Sequence, residues 1–366
     1  MSSDLEKTPL HDWHAAHGGR MVDFAGWSMP VQYASIVAEH QATRTAASLF
    51  DVSHMGRIYF SGPDAGRFLD HLLTRRVADL PQGKIRYSLM TNDEGGILDD
   101  MLVYHWDHDL FQLVVNASNR VKILNWLVKH REGYQVQIDD RTHQTAMIAV
   151  QGPLAVELLT PLVEAALPSM KYYSAQAAKI AGRPGYISRT GYTGEDGFEL
   201  VVEAADAVAV WTTVIDAGAP RGVLPAGLAS RDTLRLEAAM PLYGHELSEA
   251  VNPIQAGLGF AVNLEDRDFV GRDAIVRFAE DAEQPKRIGL ELAGRRVPRE
   301  GYPIEADEKI IGAVTSGTFS PTLGRPIAMG YVQPEHAAVG TSLAVDIRGR
   351  REPARVVALP FYQRSS

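Results

Sequence analysis

The chain has 366 residues, of which 45% are hydrophobic and 22% charged, and its net charge is −9. That length predicts two or three domains with ample material for a core, and the acidic balance argues against a nucleic-acid backbone as the main ligand. There is no cysteine, which excludes disulfides, cysteine-ligated zinc or iron–sulfur centres and a thiol nucleophile, and fits a reducing compartment.

No apolar run approaches the roughly 20 residues of a membrane helix. The N-terminal MSSDLEKTPL carries acids and no apolar core, unlike a signal or transit peptide. These features predict a cytoplasmic enzyme or binding protein, with no membrane and no nucleic-acid partner.

Thr8-Pro9 opens a predicted helix that Gly18-Gly19 stops. His11, His14 and His17 recur every three residues, but such positions drift by about 60° per step around a helix. They match no ligand motif, so they are read as structural. FAGWSMPVQY, residues 24–33, is expected to be loop or short strand, and residues 36–48 one amphipathic helix. Residues 57–60 have strand character. Asp51, Ser53 and His54 invite a hydrolase-triad reading, which fails because neighbours in an extended chain face opposite sides. A turn at 61–64 leads into a helix over 64–73.

The stretch RYSLMTNDEGGILDDMLVY, residues 86–104, reads as a hairpin: two apolar strands around Asn92–Gly96. Its second strand carries adjacent carboxylates, Asp99 and Asp100, which alternation sends to opposite faces. If the apolar face holds Leu98 and Leu102, Asp100 lies on it and needs a partner or a task. The plainer alternative is one solvent-facing aspartate and one that accepts from turn amides. A strand over 111–116 and a helix over 121–129 follow. Asn116 and Ser118 form a glycosylation sequon, which has no meaning in a cytoplasmic protein.

Residues 145–150 read as a buried strand and 153–165 as a helix. Strands over 186–190 and 198–203 flank the glycine-rich GYTGEDG, with Glu199 in an apolar run; a decorated hairpin is the plain reading. A helix over 206–217 takes Asp206 as its N-cap. The helix over 229–239 carries Arg231 and Arg235 about one turn apart, placed to clamp a carboxylate or to form salt bridges on a solvated face. After residue 282 a linker precedes short strands at 287–292, 310–318, 328–332 and 342–347, which predict a small β-barrel.

Together these features outline a pocket for a flat, partly anionic small molecule. Several stretches in order go further: FAGWSMPVQY, DVSHMG, YSLMTNDEGGILDD, VQGP, SRTGYTGEDGFEL, PAGLASRDTLRLEAAMPLYG, NPIQAGLGFAV and TSGTFSPTLGRPIAMGYV. Spanning residues 8–364, they resemble the glycine cleavage system T protein, the tetrahydrofolate-dependent aminomethyltransferase. The resemblance implies an α+β fold, a three-domain arrangement around a central folate cavity with a C-terminal small β-barrel. The expected boundaries are 1–52 with 140–250, then 53–139, a connecting segment 251–285, and 286–366.

By the same resemblance Asp100 is the catalytic carboxylate, Glu199 pairs with the pterin edge, and Met55, Tyr87 and Tyr192 wall the ring pocket. Asn116 is a polar pocket residue. Arg231 and Arg364 contact the folate glutamate side, and Arg235 is structural. For Met55, Tyr87 and Tyr192 the plain reading is core packing. The implied partners are tetrahydrofolate as co-substrate and a lipoylated H protein, with no metal. Two rivals are a tetrahydrofolate-dependent demethylase of another one-carbon donor and a non-enzymatic folate-binding protein. Relatives that assist iron–sulfur assembly carry a cysteine motif before the barrel, where this chain has Phe269-Val270-Gly271-Arg272.

Overall fold

The computed structural model describes residues 5–364. Two compact units emerge. One comprises the described residues up to Leu69 with Val77–Tyr87 and Met101–Asp232; the other comprises Asp70–Arg76, Ser88–Asp100 and the described residues from Thr233 on.

In the first unit, the helix His11–Ala16 stops at the predicted glycines, with Gly18 at φ +81°. Its histidines are held locally. His14 is fully buried, with Nε2 3.0 Å from Asp51 and Nδ1 2.7 Å from the Tyr33 hydroxyl. His17 stacks on Trp13. The segment expected to be loop or short strand holds the strand Trp27–Gln32, which forms a hairpin with Arg20–Phe24. The Ser35 hydroxyl then accepts from the Ala38 N–H and caps the helix Ile36–Thr45.

A six-stranded sheet runs in the order Ala175–Ile180, Arg183–Ser188, Gly197–Glu203, Thr145–Gln151, Ser48–Asp51, Leu224–Ala226. All its neighbours are antiparallel except the last pair. Ile148, Val150, Leu200 and Phe198 from its centre pack with Val210, Val214 and Trp211 of the helix Ala207–Gly218, all unexposed. Each such side chain contributes roughly 1.5–3 kcal/mol by leaving water.

Two helix expectations need correction. The helix predicted over 153–165 spans only Ala155–Leu159, because Pro161 has no N–H to continue the ladder. Asp206 precedes the Ala207–Gly218 helix but makes no cap hydrogen bond; it pairs instead with Arg183 Nε at 2.9 Å.

A five-stranded sheet has the order Ile85–Thr91, Ile97–Asp107, Leu110–Val115, Gly56–Ser61, Gln137–Asp140, and the boundary between the units falls within its first two strands. The second unit contains a closed barrel in the order Lys286–Leu292, Arg325–Val332, Lys309–Ser320, Pro303–Ala306, Ser342–Asp346, Arg351–Val357. Its interior holds Leu290, Ile304, Ala328, Val332 and Val345, none exposed. The fold is therefore mixed helix and sheet with a closed C-terminal barrel. Among the described residues no helix is long and apolar enough to cross a membrane.

Candidate active site

Alternation along Gly197–Glu203 sends Phe198, Leu200 and Val202 into the core and puts Glu199 on the other face. There Glu199 lies opposite Ser188 on one side and Ala149 on the other, only 7% exposed. Thr190 donates to its Oε2 at 2.5 Å, and the Tyr104 hydroxyl approaches the same oxygen at 3.5 Å. Burial pushes the Glu199 pKa up, against opposing pulls from Thr190, Arg231 and Tyr104. Burial and the nearby Glu199 also hold the Tyr104 phenol well above its ordinary pKa, so it stays an O–H donor.

Arg231 joins this cluster. Its guanidinium lies 4.7 Å from the Tyr192 ring centroid. Burial draws its pKa down, and Tyr192 and Glu199 draw it back up. Glu199, Arg231 and Tyr192 thus form one electrostatic group of opposite charges around a flat ring. Such a group can take a ligand that offers N–H donors to the carboxylate and acceptors to the guanidinium.

Three devices fix the loop between the two strands. Gln151 donates through Nε2 to the Thr190 carbonyl and accepts from the Thr193 hydroxyl, both at 3.0 Å. Arg44 reaches Glu195 at 2.8 Å and the Thr193 carbonyl at 2.7 Å from an almost fully enclosed position. Arg189 forks onto Asp196. Glu39, fully buried, accepts from the N–H of Gly227 at 2.9 Å and from Ser230 at 3.0 Å, setting the start of the helix Leu228–Glu237 that carries Arg231.

The loop with His54 and Met55 hangs on buried Arg57. Its guanidinium donates to the carbonyls of Ser53 (3.0 Å), Met55 (2.6 Å) and Thr145 (2.9 Å), to the Thr145 hydroxyl (2.7 Å) and to the Thr142 carbonyl. His54 is 3% exposed, and burial lowers its pKa to about 4, so it is a neutral imidazole. Asp51 does not serve a triad: it accepts from Thr8 at 2.6 Å and from the Ser53 N–H at 2.9 Å and meets His14.

Met55, Tyr87, Asn116 and Tyr192 are half-buried and belong to the first unit, with Glu199 and Arg231. Asn116 directly precedes the short turn Ala117–Asn119.

Asp100 and Arg364 belong to the second unit and are half-buried. The deeper of the paired carboxylates is Asp99, fully buried on the face with Ile97, Met101 and Val103. Neither aspartate is solvent-exposed, which corrects the plainer expectation for this pair. Their strand is anchored at its start: the Ile97 N–H bonds the carbonyls of Ser248 and Val251, and a β-carbon at Gly96 would lie 1.9 Å from the Glu249 carbonyl oxygen. Arg235 is not on a solvated face. It is 1% exposed and pairs with buried Glu246 at 2.9 Å while donating to Ser316 at 2.7 Å, so its assignment to structure fits. The Tyr362 N–H bonds the Glu237 carbonyl at 2.8 Å and fixes the tail just before Arg364.

Tyr104 and Thr190 were not singled out from the sequence. The parity of Tyr104 with Asp100 along one strand was the available signal. Thr190 carried none, because its partner is set by the loop's tertiary course.

Residues 10–266 match the family model described as the GCVT N-terminal domain, and residues 286–363 match the glycine cleavage T-protein C-terminal barrel domain. The chain belongs to the glycine cleavage T-protein family. It is 49% identical to an aminomethyltransferase of Streptomyces coelicolor, with 99% of each chain covered, and 50% identical to one of Streptomyces avermitilis over the full length of both. The crystal structure of the glycine cleavage system aminomethyltransferase T from Bartonella henselae superposes with a TM-score of 0.92 at 34% identity, covering 98% of each chain. The activity of this T-protein family member is that of an aminomethyltransferase of the glycine cleavage system.

Proposed function

We propose that this aminomethyltransferase moves the one-carbon unit from the aminomethyl-lipoyl arm of an H protein to tetrahydrofolate. The products are methylenetetrahydrofolate, ammonia and the dihydrolipoyl arm. The observation that carries the folate reading is the buried Glu199 with one oxygen committed to Thr190 and Tyr104, beside the Arg231–Tyr192 stack. The free side of such a carboxylate suits the paired N–H donors of a pterin edge, and ring-shaped ligands suit Tyr192 and Met55. Because Arg231 shares the neighbourhood of Glu199, we assign it to the pterin end rather than to the glutamate tail. Tyr87 and Asn116 complete the folate contacts, with Arg364 on the tail.

The reacting sulfur belongs to the partner, so no cysteine is needed in this chain. Holding a tethered arm next to a bound amine supplies a large share of the acceleration through proximity. Asp100, ionised, stabilises the cationic carbon–nitrogen species on the path and hydrogen-bonds the folate nitrogen that reacts. It also collects a proton as the ring closes. We further read the chain as three domains, 1–52 with 140–250, 53–139 and 286–366. In favour of this, the six-stranded sheet draws its strands from the first, the five-stranded sheet almost wholly from the second, and the barrel from the third.

The test is ammonia release from aminomethylated H protein, with and without tetrahydrofolate, for wild type and Asp100→Asn. Folate-dependent release that collapses in the variant while tetrahydrofolate still binds is the expected result. Near-wild-type turnover by Asp100→Asn would remove the catalytic role, and binding of folate without release would point to another one-carbon donor.

A further inference from the structure

Tyr173 has a backbone φ of +58°. Left-handed backbone is strained for a bulky side chain, and the other described non-glycine residues that adopt positive φ are alanines, acids and one arginine. Tyr173 is thus the one aromatic residue held there among the described residues, and its position is pinned from both sides. Its N–H donates to the Arg189 carbonyl at 2.9 Å, and its carbonyl accepts from the Ile85 N–H at 3.0 Å. The Arg189 N–H returns to the Ser174 carbonyl at 2.9 Å, and Arg189 Nη1 reaches the Met170 carbonyl at 2.6 Å.

These bonds stitch the segment between two parts of the candidate site. One is the strand Ile85–Thr91, which carries Tyr87. The other is the Arg189-Thr190 step, whose threonine donates to Glu199. The Tyr173 ring is half-buried, stands edge-on to Tyr172 at 4.9 Å, and its phenol is close enough to Tyr104 to help keep that phenol protonated. The bonds from the Tyr173 N–H to Arg189 and from the Ile85 N–H to the Tyr173 carbonyl are backbone bonds, so glycine or asparagine at 173 would form them without strain. What a tyrosine adds at this position is the ring.

We infer that Tyr173 is a further ligand-contacting residue of the Glu199 site, its strained backbone presenting an aromatic face to the ring system of the substrate. Strained residues persist where the surrounding structure over-determines them, typically at ligand clamps. This rests on the tetrahydrofolate reading above.

The experiment measures tetrahydrofolate Kd and Tm for the full-length wild type, Tyr173→Asn, Tyr173→Gly, Tyr173→Phe and Glu199→Gln. Asparagine and glycine keep the backbone and lose the ring, so both should fold with Tm at or above wild type and bind about three- to tenfold more weakly. Phenylalanine keeps the ring face and should stay within about twofold of wild type. Wild-type affinity in Tyr173→Asn and Tyr173→Gly, with Glu199→Gln weakened, overturns the inference and leaves the folate reading standing. Wild-type affinity in all four variants overturns the inference and the Glu199 contact together, and the absence of tetrahydrofolate binding by wild type overturns the folate reading itself. A fall in Tm for both Tyr173→Asn and Tyr173→Gly, with unchanged Kd, assigns the ring to packing and also overturns the inference.

Discussion

A β-carbon on Gly191 would lie 1.8 Å from Oε1 of Gln151. With Gln151 in this position, the loop that carries Thr190, Tyr192 and Thr193 has no room for a β-carbon at 191, and that closeness lets Gln151 bond both Thr190 and Thr193. Gly191→Ala forces either the loop or the Gln151 amide out of place and so breaks this anchor. Overpacking of this kind costs about 1–3 kcal/mol, which for a chain of this size lowers Tm by a few degrees. Tetrahydrofolate affinity should fall about tenfold or more as Tyr192 and Thr190 shift. Calorimetric binding and thermal melts check both, and an unchanged Kd would show that the loop's position does not matter to the ligand.

Glu199→Gln separates stability from binding. Burial raises the Glu199 pKa in the fold, so the folded state holds the proton more tightly than the unfolded state. Wild-type stability should thus decline as pH rises from the ordinary glutamate value of 4.5 through the raised folded value. The amide of Glu199→Gln does not titrate, so the variant lacks that decline. Urea melts should find the unliganded variant at least as stable as wild type at neutral pH, while it binds tetrahydrofolate about a hundredfold more weakly, because an N–H now faces the ligand's N–H donors.

Arg57→Met tests the support of the Met55 loop. It strips donors from the carbonyls of Ser53, Met55, Thr142 and Thr145 in a fully buried position. Each orphaned group costs about 1–3 kcal/mol, so the total loss should reach about 3 kcal/mol or more. Urea denaturation reads it directly. A loss below about 1 kcal/mol would mean that water replaces the guanidinium without penalty.

Arg235→Met should lose about 3–5 kcal/mol at pH 7, because Glu246 is left as a buried charge without its cation. Burial pushes the Glu246 pKa up, but Arg235, Thr315, Ser316 and the Leu242 N–H together bring it below the ordinary value. The contribution of Glu246 is accordingly present above the unfolded value of 4.5 and lost as pH falls through the lower folded one. The stability gap between wild type and Arg235→Met should therefore narrow below that pH in acid titrations, while a gap constant with pH would assign the loss to packing.

Elements with a strong local period were legible. The helices Ile36–Thr45 and Arg120–Lys129, the strand Thr145–Gln151 and four of the barrel strands fall where apolar spacing and turn residues place them. The strands Ala175–Ile180 and Gln137–Asp140 were not legible. Both are edge strands with weak apolar content, so each is a strand only because a neighbour supplies its hydrogen bonds. Among the candidate residues, Glu199 stands out as a charge in an apolar run, and Asp100 stands out in the same way. Asp99 was hidden, since alternation separates the two aspartates without saying which face is deeper.

The sequence by itself determined the family, most of the strongly periodic elements, the C-terminal barrel and the acids and arginines of the candidate site, because these follow from local periodicity and from ordered motifs. Only the tertiary structure decided the partners: Thr190 and Tyr104 on Glu199, Tyr192 under Arg231, Asp51 on His14, Glu246 on Arg235, and the strained turn at Tyr173. Several of those contacts, Tyr104 with Glu199 and His14 with Asp51 among them, join residues far apart along the chain. Which of them form is settled by how the sheets pack and leave each buried polar group to find a donor or acceptor, and no local rule carries that information.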